Sequence, residues 1–184
     1  GGSTLNVNGA VSVVARNDSR NRASGTAVVG ALIAAGAVKS NISTTTDTYS
    51  FVGGSANIVA QSLRLDAAST PDSKVEAVAG SGGVYAGAGA GANITAVGQT
   101  KALLLTTGGS SRITLLGGAG SLSLQAAANH AVNAKITTAS GGLYSGSGAE
   151  QINSVTSDVV AGTAAGTQGA HVIIDALSAT VQAG

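Results

Sequence analysis

Apolar side chains recur at every second position along much of this chain. Within residues 83–97 the even positions Val84, Ala86, Ala88, Ala90, Ala92, Ile94 and Ala96 form one wholly apolar row. The odd row reads Tyr85, Gly87, Gly89, Gly91, Asn93, Thr95 and Val97. A period of two is the pattern of a strand with one buried face. Alanine favours helix, but each interleaved glycine costs about 1 kcal/mol in a helix relative to alanine. Gly83, Gly87, Gly89 and Gly91 all fall in this stretch, so strand is predicted. Residues 74–79 alternate in the same way. Turn signals cut the strands short at Asn17-Asp18-Ser19, Gly53-Gly54-Ser55, Thr70-Pro71-Asp72-Ser73, Gly108-Gly109-Ser110 and Gly117-Gly118.

The alternation is nested in a longer period. Leu5-Asn6-Val7-Asn8-Gly9-Ala10, Leu63-Arg64-Leu65-Asp66-Ala67-Ala68 and Leu122-Ser123-Leu124-Gln125-Ala126-Ala127 share an L-x-[VL]-x-[GA]-A pattern. Their starts, Leu5, Leu63 and Leu122, are almost evenly spaced. Gly82-Gly83-Val84-Tyr85-Ala86-Gly87 and Gly141-Gly142-Leu143-Tyr144-Ser145-Gly146 keep step with it, and the looser Gly25-Thr26-Ala27-Val28-Val29-Gly30 precedes them at a similar interval. Asn41-Ile42-Ser43 and Asn93-Ile94-Thr95 follow in the first two units. These markers describe one module over residues 1–184, with repeats at about 5–62, 63–121 and 122–171 and a truncated fourth at 172–184. The predicted fold is all-β, a β-solenoid (parallel β-helix) of about three 58-residue repeats; a β-sandwich or antiparallel barrel is the rival architecture. Each unit is expected to hold two or three coils of roughly 19–30 residues, stacked about 4.8 Å apart. Inward alanine and glycine predict a thin body, with residues 103–105 and 115–116 marking its wider part.

Composition narrows the function. Charged residues are 9% of the chain and the net charge is +1, against roughly 25% charged in an ordinary globular domain. A hydrophobic content of 43% excludes the disordered class. Tyr49, Tyr85, Tyr144 and Phe51 are the only aromatics, too few for base stacking, so no nucleic-acid partner is expected. Cysteine is absent, which removes disulfide frameworks and thiolate metal sites. The absence of Met and the Gly1-Gly2-Ser3-Thr4 opening suggest a processed product or an excised fragment. The richest apolar stretch, residues 27–38, is interrupted by two glycines and falls short of the roughly 18 residues of a membrane helix, so no membrane-spanning segment is expected.

The carboxylates and imidazoles are Asp18, Asp47, Asp66, Asp72, Glu76, Glu150, Asp158, Asp175, His130 and His171. Only Asp72 and Glu76 are spaced to share a strand face, and they read as a turn residue and a solvated position beside Lys74. His130 and His171 read as surface or loop histidines. The Gly82-Gly83 and Gly141-Gly142 signals lack the aspartate of a calcium-binding nonapeptide. The spacing in Gly87-Ala88-Gly89-Ala90-Gly91 is wrong for dinucleotide binding and is read as sheet packing. Ser81, Ser140 and Ser145 lack a nucleophile elbow. No catalytic residue, cofactor or metal is assigned, and the chain is expected not to be an enzyme. Arg16, Arg20 and Arg22 form the one charge cluster and the candidate contact for an anionic glycan. Asn17, Asn41 and Asn93 open N-x-[ST] sequons. Thr44-Thr45-Thr46 is not read as an ice-binding ladder.

The scheme of an alternating Ala/Val/Thr strand, S-G-G, an aliphatic-aromatic pair, a G-x-G-A run and N-I-[ST] resembles the repeats of large bacterial filamentous adhesins of the filamentous-haemagglutinin-like and leukotoxin types. Residues 79–97 and 139–155 carry it best; the first unit departs, lacking Gly-Gly and having four extra residues before Asn41. The resemblance implies a secreted right-handed β-helix on a cell surface. The expected role is therefore a structural, extracellular segment of a bacterial adhesin or filament. It would associate end to end with copies of itself or with adjacent repeats of the same chain. A glycan-binding adhesin module is the alternative, and a catalytic polysaccharide-active β-helix a third.

Overall fold

The computed structural model describes residues 2–106, 109–116, 120–165 and 171–184. The turns expected at Gly108 and at Gly117-Gly118 lie outside the described residues. Strands account for 84% of the described residues and no helix occurs among them, as the alternation requires.

The chain makes repeated passes through four strand positions. The first pass holds β1 (Ser3–Asn6), β2 (Ala10–Asn17), β3 (Arg20–Gly30) and β4 (Ile33–Val52). The second holds β5 (Ala56–Ala60), β6 (Ser62–Ser69), β7 (Asp72–Gly82) and β8 (Tyr85–Thr106). The third holds β9 (Ser111–Leu115), β10 (Ser121–Ala128), β11 (Ala131–Gly141) and β12 (Tyr144–Ala165), and β13 (Val172–Asp175) and β14 (Ser178–Ala183) follow. Equivalent strands pair across passes into four sheets: A (β1-β5-β9-β13), B (β2-β6-β10-β14), C (β3-β7-β11) and D (β4-β8-β12). Every pairing among the described residues is parallel. An antiparallel sandwich or barrel is thereby excluded, because those folds join neighbouring strands by hairpins.

The pairing corrects two expectations. Ser62 pairs with Ala10 of the pass before and with Ser121 of the pass after. One pass therefore takes a whole unit, rather than a half or a third of one. The first-unit markers also shift. Leu63 pairs with Leu122 but also with Val11, while Leu5 pairs with Ile58. Gly82 pairs with Gly30 and Gly141, while Gly25 pairs with Ala77. In this register Asn41 pairs with Asn93, so the four extra residues of the first unit vanish.

Two apolar clusters fill the interior. The wider one gathers Ile58, Ile113 and Leu115 from sheet A, Leu63, Leu65, Leu122 and Leu124 from sheet B, and Ala102 and Leu104 from the far end of sheet D. The thinner one is nearly all small: Val75, Ala77 and Ala79 of sheet C lie against Ala88, Ala90, Ala92 and Ile94 of sheet D. Leu104 and Leu115 fall in the wide cluster, as expected, whereas Leu116 points out and is 53% exposed. Sheet D strands seat between successive sheet C strands: β4 touches β3 and β7, and β8 touches β7 and β11. Of the sheet C strands β12 packs on β11 alone, and its inward row from Ser145 to Ser157 stays exposed.

The bend from sheet C to sheet D explains two glycines. Hydrogen bonds there carry the ladder around the corner, with Gly83 N donating to Gly141 O at 3.0 Å and Val84 N to Leu32 O at 3.0 Å. A Cβ on Gly83 would lie 2.0 Å from Ala31 O, and one on Gly142 would lie 2.2 Å from Gly83 O. The first-pass equivalent is Ala31, which stacks on no earlier pass among the described residues.

Candidate functional site

Arg16, Arg64 and Asp66 on sheet B and Arg20, Arg22, Asp72, Lys74, Glu76 and Lys135 on sheet C stand on the outer faces, and most of them meet partners on neighbouring passes. Arg22 Nη2 lies 2.6 Å from Asp72 Oδ2, and its Nη1 donates to the carbonyls of Asn21 and Asp72 at 3.1 and 3.3 Å. That ion-paired hydrogen bond holds the Asp72 carboxyl below its usual value. Arg16 stands 3.8 Å from Asp66, which Arg64 holds more closely at 2.9 Å. Arg20 joins no ion pair among the described residues. The structure thus places Arg16, Arg20 and Arg22 around one exposed corner, with two of the three turned toward carboxylates. A shallow hollow of about 210 Å³ beside them is lined by Arg22, Ala23, Ser24, Lys74 and Glu76.

The acids are spread by the same ladder. Asp72 opens β7 instead of sitting in the turn, and Glu76 meets Lys135 of the next pass at 3.3 Å. Lys101 and Asp158 pair at 2.9 Å on sheet D, which raises the lysine above its ordinary value. No group of three metal-ligating side chains occurs among the described residues. His171 is exposed. His130 lies in the loop between β10 and β11, as expected, but both ring nitrogens are buried, and a Cβ on Gly98 would lie 3.1 Å from its Nε2 and 2.9 Å from Thr46 Oγ1. The ring occupies the polar waist between the two apolar clusters, where Asn21 Nδ2 also donates to Thr44 Oγ1 at 3.0 Å. Ser81 is buried in sheet C, Ser140 belongs to the same sheet, and Ser145 starts the exposed row of β12.

The outer face of sheet D carries the feature that sequence reading missed. Gly87, Gly89, Gly146 and Gly148 project from it with no atom within 4 Å of a built Cβ; within the run 87–91, Ala88 and Ala90 pack between the sheets as expected, whereas Gly87 and Gly89 meet no neighbour. Gly89 and Gly148, with Ala37, Lys39, Gly91 and Glu150, line an open trough of about 470 Å³, and Gly87 and Gly146 stand between it and the tyrosines on the same strands. Along one side Ile33, Tyr85 and Tyr144 stand in register. The two tyrosine rings stack at 5.1 Å and 8°. The repeated G-L/V-Y-x-G pattern was the available signal, legible only once its odd positions are known to face outward.

Neither protein-family models, nor curated proteins, nor solved structures give a match to this chain. No helix among the described residues is long and apolar enough to cross a membrane.

Proposed function

We propose that this chain is a β-solenoid segment of a bacterial extracellular adhesin or filament, a structural element that extends by adding further passes. The observation that carries this reading is the register. Twenty positions of β4 and twenty-two of β12 pair one for one with β8, without a bulge. A ladder of this kind lengthens without altering its cross-section, the property a spacer or filament needs. Its outermost strands offer unpaired backbone groups that recruit another strand.

The four sheets refine how extension works. Sheets A and B hold four strands and sheets C and D hold three. A rigid second copy seated on β13 and β14 leaves one rung of C and D empty, whereas a segment patterned like β11–β12 fills it. Whole copies would therefore join through sheets A and B, and a further repeat of the same chain would continue all four sheets. Electron microscopy of the purified chain across a wide concentration range tests the role. End-joined, unbranched particles are expected. Dispersed single particles at every concentration, with the amides of β3, β4, β11 and β12 all protected from exchange, would refute it.

A further inference from the structure

We propose that the outer face of sheet D is a lateral docking surface for a second copy of this chain, with the tyrosine ridge of each copy lying in the glycine trough of the other. The inference does not depend on end-to-end extension. It rests on two observations made at the same place.

The first is the trough. Glycine weakens a strand, and inside one it commonly marks close approach of another backbone. Here Gly87, Gly89, Gly146 and Gly148 have no positive φ and no neighbour that would exclude a side chain. Nothing within the chain therefore requires glycine at these four outward positions. The second is the ridge. Leu32, Ile33, Tyr85, Leu143 and Tyr144 are 72%, 74%, 52%, 82% and 66% exposed, and they run together along the sheet C–sheet D bend. An exposed apolar cluster of this size marks a contact surface.

Ridge and trough lie on the same strands, a few residues apart, so the face is complementary to itself. A two-fold axis along the stacking direction satisfies both halves at once. It runs the strands of the two copies antiparallel and sets Tyr85 over Gly89 of the second copy. By register, Ile33 then lies over Ala37 and Tyr144 over Gly148 of the second copy. Gly87 comes to face its own counterpart. The rim carries one cation, Lys39, and one anion, Glu150, so it presents no net charge to a like face. A sugar is a poorer occupant, because Tyr85 and Tyr144 already stack one ring face each on the other.

The contact spans about seven residues of three strands. That is roughly 23 by 14 Å, or about 650 Å² in total, given the usual strand rise and spacing. A stable interface buries about 1,200 Å² or more, so three passes pair weakly and each further pass adds about 200 Å². Long solenoids would thus bundle side by side where short ones exchange.

Because the chain has no cysteine, a Gly87→Cys variant reads the pairing directly. Under mild oxidation at high concentration it should form a disulfide-linked dimer at least tenfold faster than Thr26→Cys on the outer face of sheet C. Adding Gly89→Lys should abolish that difference without lowering the melting midpoint, since the trough has room for the side chain within one copy. End-to-end association of Gly89→Lys, followed by sedimentation, should remain as in the parent chain. Equal cross-linking rates for the two cysteine variants would overturn the proposal, as would persistence of the Gly87→Cys dimer in the presence of Gly89→Lys. Binding of soluble oligosaccharides that protects Tyr85, with no cross-linked dimer, would replace the second copy by a glycan.

Discussion

Replacing Gly83 with alanine should destabilise the fold far more than replacing Gly87, although both are glycines of the same repeat. The Gly83 Cβ would fall 2.0 Å from Ala31 O and 3.1 Å from Leu32 O. Both are backbone atoms, held in place because Ala31 N donates to Gly82 O at 3.0 Å and Val84 N to Leu32 O at 3.0 Å. Relief needs about 1 Å of separation between two passes, and overpacking of this kind costs about 1–3 kcal/mol. Each ladder hydrogen bond lengthened with it adds about 1 kcal/mol. A total near 3 kcal/mol follows, or roughly 6–12 °C of melting midpoint for a chain of this size. Gly87→Ala meets nothing within 4 Å and should instead gain about 0.5–1 kcal/mol, by reducing the freedom of the unfolded chain. Thermal melts followed by circular dichroism at the strand minimum compare the two variants directly. A Gly83→Ala variant that melts with the parent would show that the second pass does not stack on the first at this bend.

Other consequences follow from the same geometry. Leu104→Ala, at 1% exposure in the wide cluster, should cost about 2–5 kcal/mol, and Leu116→Ala less than about 1 kcal/mol because that side chain is in solvent; urea titration measures both. Asp72 is held below the ordinary carboxyl range by its hydrogen bond from Arg22. A depressed carboxyl contributes stability that is full above its unfolded value and fades as pH falls through its folded one, so Arg22→Ala should raise the Asp72 midpoint seen by carbon-detected titration. If the arginine corner holds an anionic glycan, changing Arg16, Arg20 and Arg22 together to alanine should abolish a salt-sensitive interaction and leave the fold intact. Binding unchanged by the triple substitution would dismiss that corner.

Much of this architecture was legible because a strand buried on one face writes its alternation into the sequence. The even row from Ala86 to Ala96 is buried as read. The Asn41 and Asn93 markers do pair. The register of the first pass was not legible, because loop length varies between passes while strand positions do not. Gln61 alone joins β5 to β6, whereas the chain from Leu116 to Gly120 separates β9 from β10. That difference stretches the later period and made Leu5 resemble a partner of Leu63. The length of one pass was hidden for a related reason: long strands such as β4 and β8 contain no turn signal to divide them. His130 lies in a loop, as read, but the inward turn of its ring was not legible because a side chain at a bend does not obey the strand period. At the candidate surface, glycine reads the same whether it packs against a neighbour or faces open space, and only the arrangement of sheet D separates the two cases.

The central claim is that one whole repeat unit makes a single pass, which stacks on the next in parallel register, and spin-label distances test it most directly. Ser12, Arg64 and Ser123 lie side by side on the outer face of sheet B, so labels on Ser12 and Ser123 sit on backbones about 10 Å apart, two strand spacings. Labels on Asn6 and Ser123, the pair that a uniform repeat period would align, belong to different sheets, because Asn6 pairs with Val59. A short, narrow distance for Ser12–Ser123 and a longer one for Asn6–Ser123 is the predicted result. The reverse order, or a long distance for Ser12–Ser123, would contradict the stacked-pass account.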